Sequence, residues 1–190
     1  MSEPESDVTG SSENGTAALA AVARLFGTLL LAEIDEAQLR RLQDPAMREA
    51  LESLGLEIPT FEPGDRESLE ELAADYHAAF LRPDGGGAPP IGSLWIEGRY
   101  EGALAKRVRE LAESAAVEFD GAVARDAPVD HLGCILMLWA ATVERAPWVA
   151  EELARNHLAW ASAPLTQVSD TAEGFYAGFA RAVLALTREL

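Results

Sequence analysis

The sequence predicts an all-α fold in a single domain, and three observations carry that prediction. Alanine, the best helix former, occurs 35 times, against 23 for the β-branched Val, Ile and Thr together. Apolar residues return at helical spacing in successive segments, and helix-capping residues, prolines and glycines punctuate them where helices begin and end. The chain has 190 residues, 48% of them hydrophobic, which suits one domain with a real core.

Residues 1–14 hold Ser, Glu, Gly and Asn without apolar periodicity and are expected to form a disordered acidic tail. From Thr16, the set Leu19, Val22, Phe26, Leu29 and Leu30 predicts a first helix to about Ala32. Asp35 to Leu42 reads as a short second helix. Asp44-Pro45 supplies an N-cap and a first-turn proline, and Gly55 a stop, for a third. Asp65 caps a fourth, with Leu69, Leu72, Tyr76 and Phe80 on one face and Pro83 at its end. The stretch 83–93 is too rich in Gly and Pro for regular structure. A fifth helix is expected from Arg99 to near Phe119, then a connection over Gly121–Pro128. Val129 to Arg145 is apolar almost all round and belongs at the bundle centre. Pro147 starts a helix reaching Trp160, Ala163–Ser169 adds a short turn, and Asp170 caps a last helix with Phe175, Phe179, Val183 and Leu186 inward. No fixed-period repeat emerges, so a bundle is expected and not a solenoid.

Composition excludes several function classes. Against 32 acids stand 15 basic residues, a formal net charge of −17, and Lys106 is the lone lysine. Duplex nucleic acid and anionic membrane surfaces both call for a basic footprint, so a basic partner fits better. The single cysteine, Cys134, excludes a disulfide framework and a cysteine-based zinc site. The first residues are acidic (Glu3, Glu5, Asp7, Glu13), unlike the positive start of a secretory signal. The apolar run from Ala17 to Ala32 is broken by Arg24, and Leu132–Val143 falls short of the roughly 20 residues a membrane span needs. A soluble cytoplasmic protein is expected.

Catalytic patterns are missing. His77, His131 and His157 show no tight ligand spacing, so no metal is expected. Glycines 85–87 lack the following Gly-Lys-Ser/Thr of a phosphate loop, and no Gly-x-Ser-x-Gly elbow exists. Asp130 and His131 are adjacent, and helical neighbours point about 100° apart, a poor geometry for a carboxylate–imidazole relay. No enzyme activity and no cofactor are expected.

Laid in order, three segments resemble the TorD/DmsD/NarJ family of cytoplasmic chaperones for molybdoenzymes. The first is Asp75-Tyr76-His77-Ala78-Ala79-Phe80-Leu81-Arg82-Pro83, an aromatic helix end closed by proline. The second is Pro89-Pro90-Ile91-Gly92-Ser93-Leu94-Trp95, closest to the DmsD-like branch. The third is Pro128-Val129-Asp130-His131-Leu132, similar to the family's Pro-x-Asp-His-Leu/Ile signature at the start of a central helix. His157-Leu158-Ala159-Trp160 and Gly174-Phe175-Tyr176 sit in the family's order as well. Two positions depart from the pattern: Ala127 stands where a Glu commonly precedes the proline, and Ile91 where an aromatic often follows Pro-Pro.

The resemblance implies a TorD-like helical domain over 15–190. It also implies a chaperone that binds the twin-arginine leader, or another N-terminal segment, of a molybdopterin oxidoreductase subunit while its cofactor is inserted. Components of the twin-arginine translocase are a further implied partner, and monomer and homodimer both remain open. Implied peptide-binding residues are Tyr76, Phe80 and Trp95 as anchors, Pro89, Pro90, Gly92 and Ser93 in the loop, and Asp130, His131 and Asp126 at the polar end. On spacing alone each has a structural reading. Tyr76 and Phe80 share a helix face that suits a core, and Trp95 can plug the bundle beneath the loop. Asp130 can serve a helix start, and His131 can be a core histidine. A helical adaptor for another partner is equally compatible with the fold. The acids concentrate over 57–84, where Glu57, Glu62, Asp65, Glu67, Glu70, Glu71, Asp75 and Asp84 face only Arg66 and Arg82; they are the expected rim for a basic segment.

Overall fold

The computed structural model describes residues 8–60, 62, 64–82, 86–124 and 126–190. In chain order the helices are α1 (Val8–Leu31), α2 (Glu36–Leu42), α3 (Pro45–Ser53) and α4 (Arg66–Tyr76), which runs on into a π-helical turn (His77–Leu81). Then follow α5 (Gly92–Glu97), α6 (Ala103–Ser114), α7 (Gly121–Ala124), α8 (Leu132–Thr142) and α9 (Pro147–His157). A 3-10 turn (Ala159–Ala161), α10 (Ser162–Thr171) and α11 (Gly174–Glu189) complete the chain. The fold is all-α. Among the described residues no strand forms, and one antiparallel bridge joins Ile91 to His131.

Helix α8 occupies the centre, as its all-round apolarity predicts: Leu132, Ile135, Leu136 and Leu138 are sealed from solvent. Each such side chain contributes about 1.5–3 kcal/mol by burial. Helix α1 crosses α8 backbone against backbone, because glycines meet at the contact. A Cβ on Gly27 would lie 2.8 Å from the Gly133 carbonyl oxygen, and one on Gly133 2.6 Å from that of Gly27. Arg24 donates from its guanidinium to the Ala140 carbonyl at 2.8 Å, placing a cation at the C-terminal end of α8. On the other side of α1, Phe26 meets Phe179 of α11 edge to face, with ring centres 5.4 Å apart.

The expected caps form. Asp35 accepts from the Gln38 N–H, Asp44 from Ala46 and Met47, and Asp65 from Ser68. Gly55 follows α3 with φ +78°, the left-handed conformation expected of the stop.

Several boundaries differ from expectation. Helix α1 begins at Val8, so the stretch 8–14, expected as disordered tail, is helical; the rest of that expectation, on 1–7, lies outside the described residues. Once a helix is nucleated, each added residue gains a hydrogen bond at little further cost. The expected helix from Arg99 to Phe119 is split. Gly98 (φ +68°) closes α5, and α6 starts only at Ala103, whose N–H donates to the Glu97 carboxylate at 2.6 Å. Ala116 (φ +51°) follows the end of α6. The expected 83–93 loop ends early, since Gly92 and Ser93 already belong to α5, while 83–85 lie outside the described residues. The Gly121–Pro128 connection contains the one-turn α7. Ala163–Ser169 grows into the full helix α10, with Pro164 tolerated in its first turn. Asp170 therefore lies inside α10. The last helix opens instead at Gly174 (φ +59°), with Glu173 as its N-cap.

The α1–α8 crossing yields a test. Gly133→Ala is expected to destabilise the protein by about 2–3 kcal/mol in urea unfolding, because the nearest clashing atom, the Gly27 carbonyl oxygen, is backbone and cannot rotate away. Gly15→Ala, with open space around it on α1, is expected to be neutral or stabilising by up to about 1 kcal/mol.

Candidate functional site

Two segments far apart in sequence are clasped together. The Leu132 N–H donates to the Pro90 carbonyl at 2.8 Å and the Gly92 N–H to the Asp130 carbonyl at 3.0 Å, forming the Ile91–His131 bridge. The Asp130 carboxylate completes the clasp. Its Oδ2 accepts from the Ser93 backbone N–H at 2.7 Å and from the Ser93 hydroxyl. Helix α5 starts at Ile91–Gly92, where no local side chain caps it, so Asp130 caps it from across the chain. Gly92 allows the close seating: a Cβ there would lie 2.1 Å from Leu104 and 2.9 Å from Trp160. The other carboxylate oxygen, Oδ1, is sealed from solvent and accepts no hydrogen bond among the described residues.

His131 caps α8. Its Nδ1 accepts from the Gly133 N–H at 3.1 Å, which needs the neutral imidazole with its proton on Nε2. Burial holds its pKa down to about 4. One turn on, burial and then the neighbouring Asp130 push the Cys134 thiol up to about 12, so it stays a protonated, unreactive part of the interior.

Tyr76 and Phe80 lie inside the protein, 4% and 1% exposed. Both rings pack on Tyr176 of α11, with centres 5.8 Å away in each case, and the Tyr76 hydroxyl donates to the Leu30 carbonyl at 2.9 Å. They support the site from beneath. The π-helical turn then delivers the loop: the Ala88 N–H donates to the Ala79 carbonyl at 2.8 Å, and the Gly87 N–H to that of Arg82 at 3.2 Å. Pro90 is buried and Pro89 half-buried. Trp95 lies over this loop, its indole N–H donating to the Pro89 carbonyl at 2.7 Å while 36% of the residue stays exposed. Asp126 stands exposed with φ +57° and makes no hydrogen bond to Asp130 or His131.

Two grooves flank the π-helical turn, and sequence reading missed both. One, about 410 Å³, lies at the α1–α2 junction between Glu33, Ile34, Asp35, Tyr76 and the exposed Leu81. The other, about 350 Å³, runs between Asp75, Ala78, Arg82 and the α10–α11 junction at Thr171 and Glu173. Each pairs carboxylates with apolar surface. The acids at helix junctions, Glu33, Asp35 and Glu173, were the available signal. Within the expected rim, Glu67, Glu70, Glu71 and Asp75 line the exposed face of α4. Asp65 is the cap of that helix, its pKa held below the usual range by hydrogen bonds from Ser68, and Asp84 lies outside the described residues. Among the described residues no group of three or more His, Cys, Asp or Glu could hold a metal ion, and no helix is long and apolar enough to cross a membrane.

Two tests follow from the clasp. Asp130→Ala leaves the Ser93 donors unmet and is expected to cost about 3 kcal/mol in urea unfolding, more than Ser93→Ala. His131 has a folded-state pKa of about 4 against an ordinary 6.5, so the unfolded chain binds the extra proton between those values. Its contribution is intact above pH 6.5 and declines as pH falls toward 4, by up to about 3 kcal/mol. Urea midpoints across that window are expected to fall less steeply in His131→Asn, which keeps a capping acceptor but does not titrate.

Comparison with known proteins places this arrangement. The family model described as nitrate reductase delta subunit matches residues 17–168. The chaperone protein TorD of Ferrimonas balearica is 33% identical over 130 residues, covering 60% of this chain and 58% of that protein. The chain thus spans less than two thirds of that relative. The family match takes in α8, the clasp and both segments it joins, and the chain belongs to the nitrate reductase delta subunit family, which includes the TorD and NarJ chaperones.

Proposed function

We propose that this protein is a cytoplasmic, non-enzymatic chaperone for a molybdopterin oxidoreductase. It binds the twin-arginine leader, or another N-terminal segment, of the catalytic subunit and holds it while the cofactor is inserted. The family match over residues 17–168 carries this reading. The surface agrees with it. A leader of this kind is a basic stretch followed by an apolar one, and the grooves beside the π-helical turn combine carboxylates with apolar walls. The exposed edge of Trp95 offers an aromatic contact above Pro89, and the unsatisfied Asp130 Oδ1 offers an acceptor that an arginine would reach if the loop opened. Tyr76, Phe80, Pro90, Gly92, Ser93 and His131 position these surfaces, while the exposed Asp126 adds negative charge nearby in sequence.

The test is a calorimetric titration with the leader peptide of the oxidoreductase recovered in a pull-down, against twin-lysine and scrambled versions. The leader is expected to bind about tenfold tighter than either control, since lysine lacks the planar two-point fork of arginine. Equal weak binding by all three overturns leader recognition, and a pull-down without any redox-enzyme subunit favours an adaptor role instead. Charge has a separate readout. Neutralising Glu67, Glu70, Glu71 and Asp75 together is expected to slow association severalfold and flatten its salt dependence, with little change in dissociation. Neutralising Glu3 and Glu5 is expected to change neither.

A further inference from the structure

Toward α7, a small apolar cluster of buried residues stands apart from the main core. Leu31 of α1, Ala124 of α7 and Cys134 of α8 form its buried part, with Phe119 and Met137 packed against them. The packing there is incomplete. Between the 117–124 stretch and α8 a cleft of about 170 Å³ remains, walled by Phe119, Met137, Leu138 and Ala141, with Cys134 in its lining and the exposed Val123 beside it. A cavity of about 150 Å³ with apolar walls can hold a benzene ring, so this space fits one large apolar side chain. Met137 suits such a role, because its unbranched thioether re-packs around differently shaped partners. Among the described residues, the charged side chains lining the cleft are both acids, Glu118 and Asp120.

From this we infer that the α7–α8 cleft seats one Leu- or Phe-sized side chain of the client segment, next to a basic residue that Glu118 faces. The inference rests on the chaperone reading and deepens it by assigning the apolar part of the leader a place outside the loop and the π-helical turn. Charge selects the occupant. A second copy of this chain, carrying −17, would bring mostly acids to an acidic rim. A leader supplies the basic and apolar pair.

The chain has only three methionines, Met1, Met47 and Met137, so methionine-methyl NMR of the full protein reports on the cleft with Met47 of α3 as an internal control. On titration with the twin-arginine leader peptide, the Met137 methyl is expected to shift and saturate with the calorimetric affinity while Met47 stays still. Val123→Lys, which sets a cation at the cleft, and Ala141→Trp, which fills it, are each expected to weaken leader binding about tenfold. Circular dichroism checks that both fold, and the Met137 signal in the unaltered protein decides the matter if either does not. Leader binding with Met137 unmoved and both variants at full affinity overturns the cleft and leaves the chaperone reading standing. No leader binding to the unaltered protein overturns both. A Met137 shift that tracks protein concentration without peptide assigns the cleft to a second copy and overturns the inference.

Discussion

The buried carboxylate of Asp130 is the constraint on which the arrangement of the site depends. Removing a carboxylate from water is costly, and the cost is offset only where hydrogen bonds and a favourable dipole receive the charge. Helix α5 supplies both: its first N–H groups lack a local cap, and its N-terminus carries partial positive charge. The pairing holds the end of the Gly/Pro-rich loop against the start of the central helix. Gly92 then seats against Leu104 and Trp160, and the indole of Trp95 reaches back to Pro89. Loop, cap and aromatic lid of the loop are consequences of one acid finding one helix end.

In the proposed chaperone role, charge and apolar surface divide the labour of recognition. In that role the exposed acids of α4 would act at a distance, raising the rate of encounter with a basic segment. Apolar recesses act at contact, where exclusion of water sets how long a partner stays. The net charge of −17 is therefore unevenly useful. Asp35, Asp44 and Asp65 spend theirs on helix starts, whereas Glu67, Glu70 and Glu71 face solvent.

Much of the fold was legible in single windows of sequence. The all-round apolarity of α8 placed it at the centre, and Asp35, Asp44 and Asp65 marked three helix starts through local hydrogen bonds that span two or three residues. What windows hid was tertiary. Gly98 and Gly102 divide α5 from α6 because the Glu97 carboxylate folds back onto Ala103, a contact no periodicity encodes. Tyr76 and Phe80 share a face, but only the position of Tyr176 shows that this face points inward. Ser93 and Asp130 each stood out separately; that they are partners across 37 residues is a property of the fold.

The π-helical turn at His77–Leu81 has a further consequence for how the chain can vary. Such a turn holds one residue more than an α-helical one. A further residue added before Ala79 and taken up as an α-helical step would rotate everything beyond it by about 100°. Phe80 would leave Tyr176, and the Ala79 carbonyl would turn away from Ala88, so the loop would lose its mooring. Within the turn the residue count is thus a fixed structural quantity.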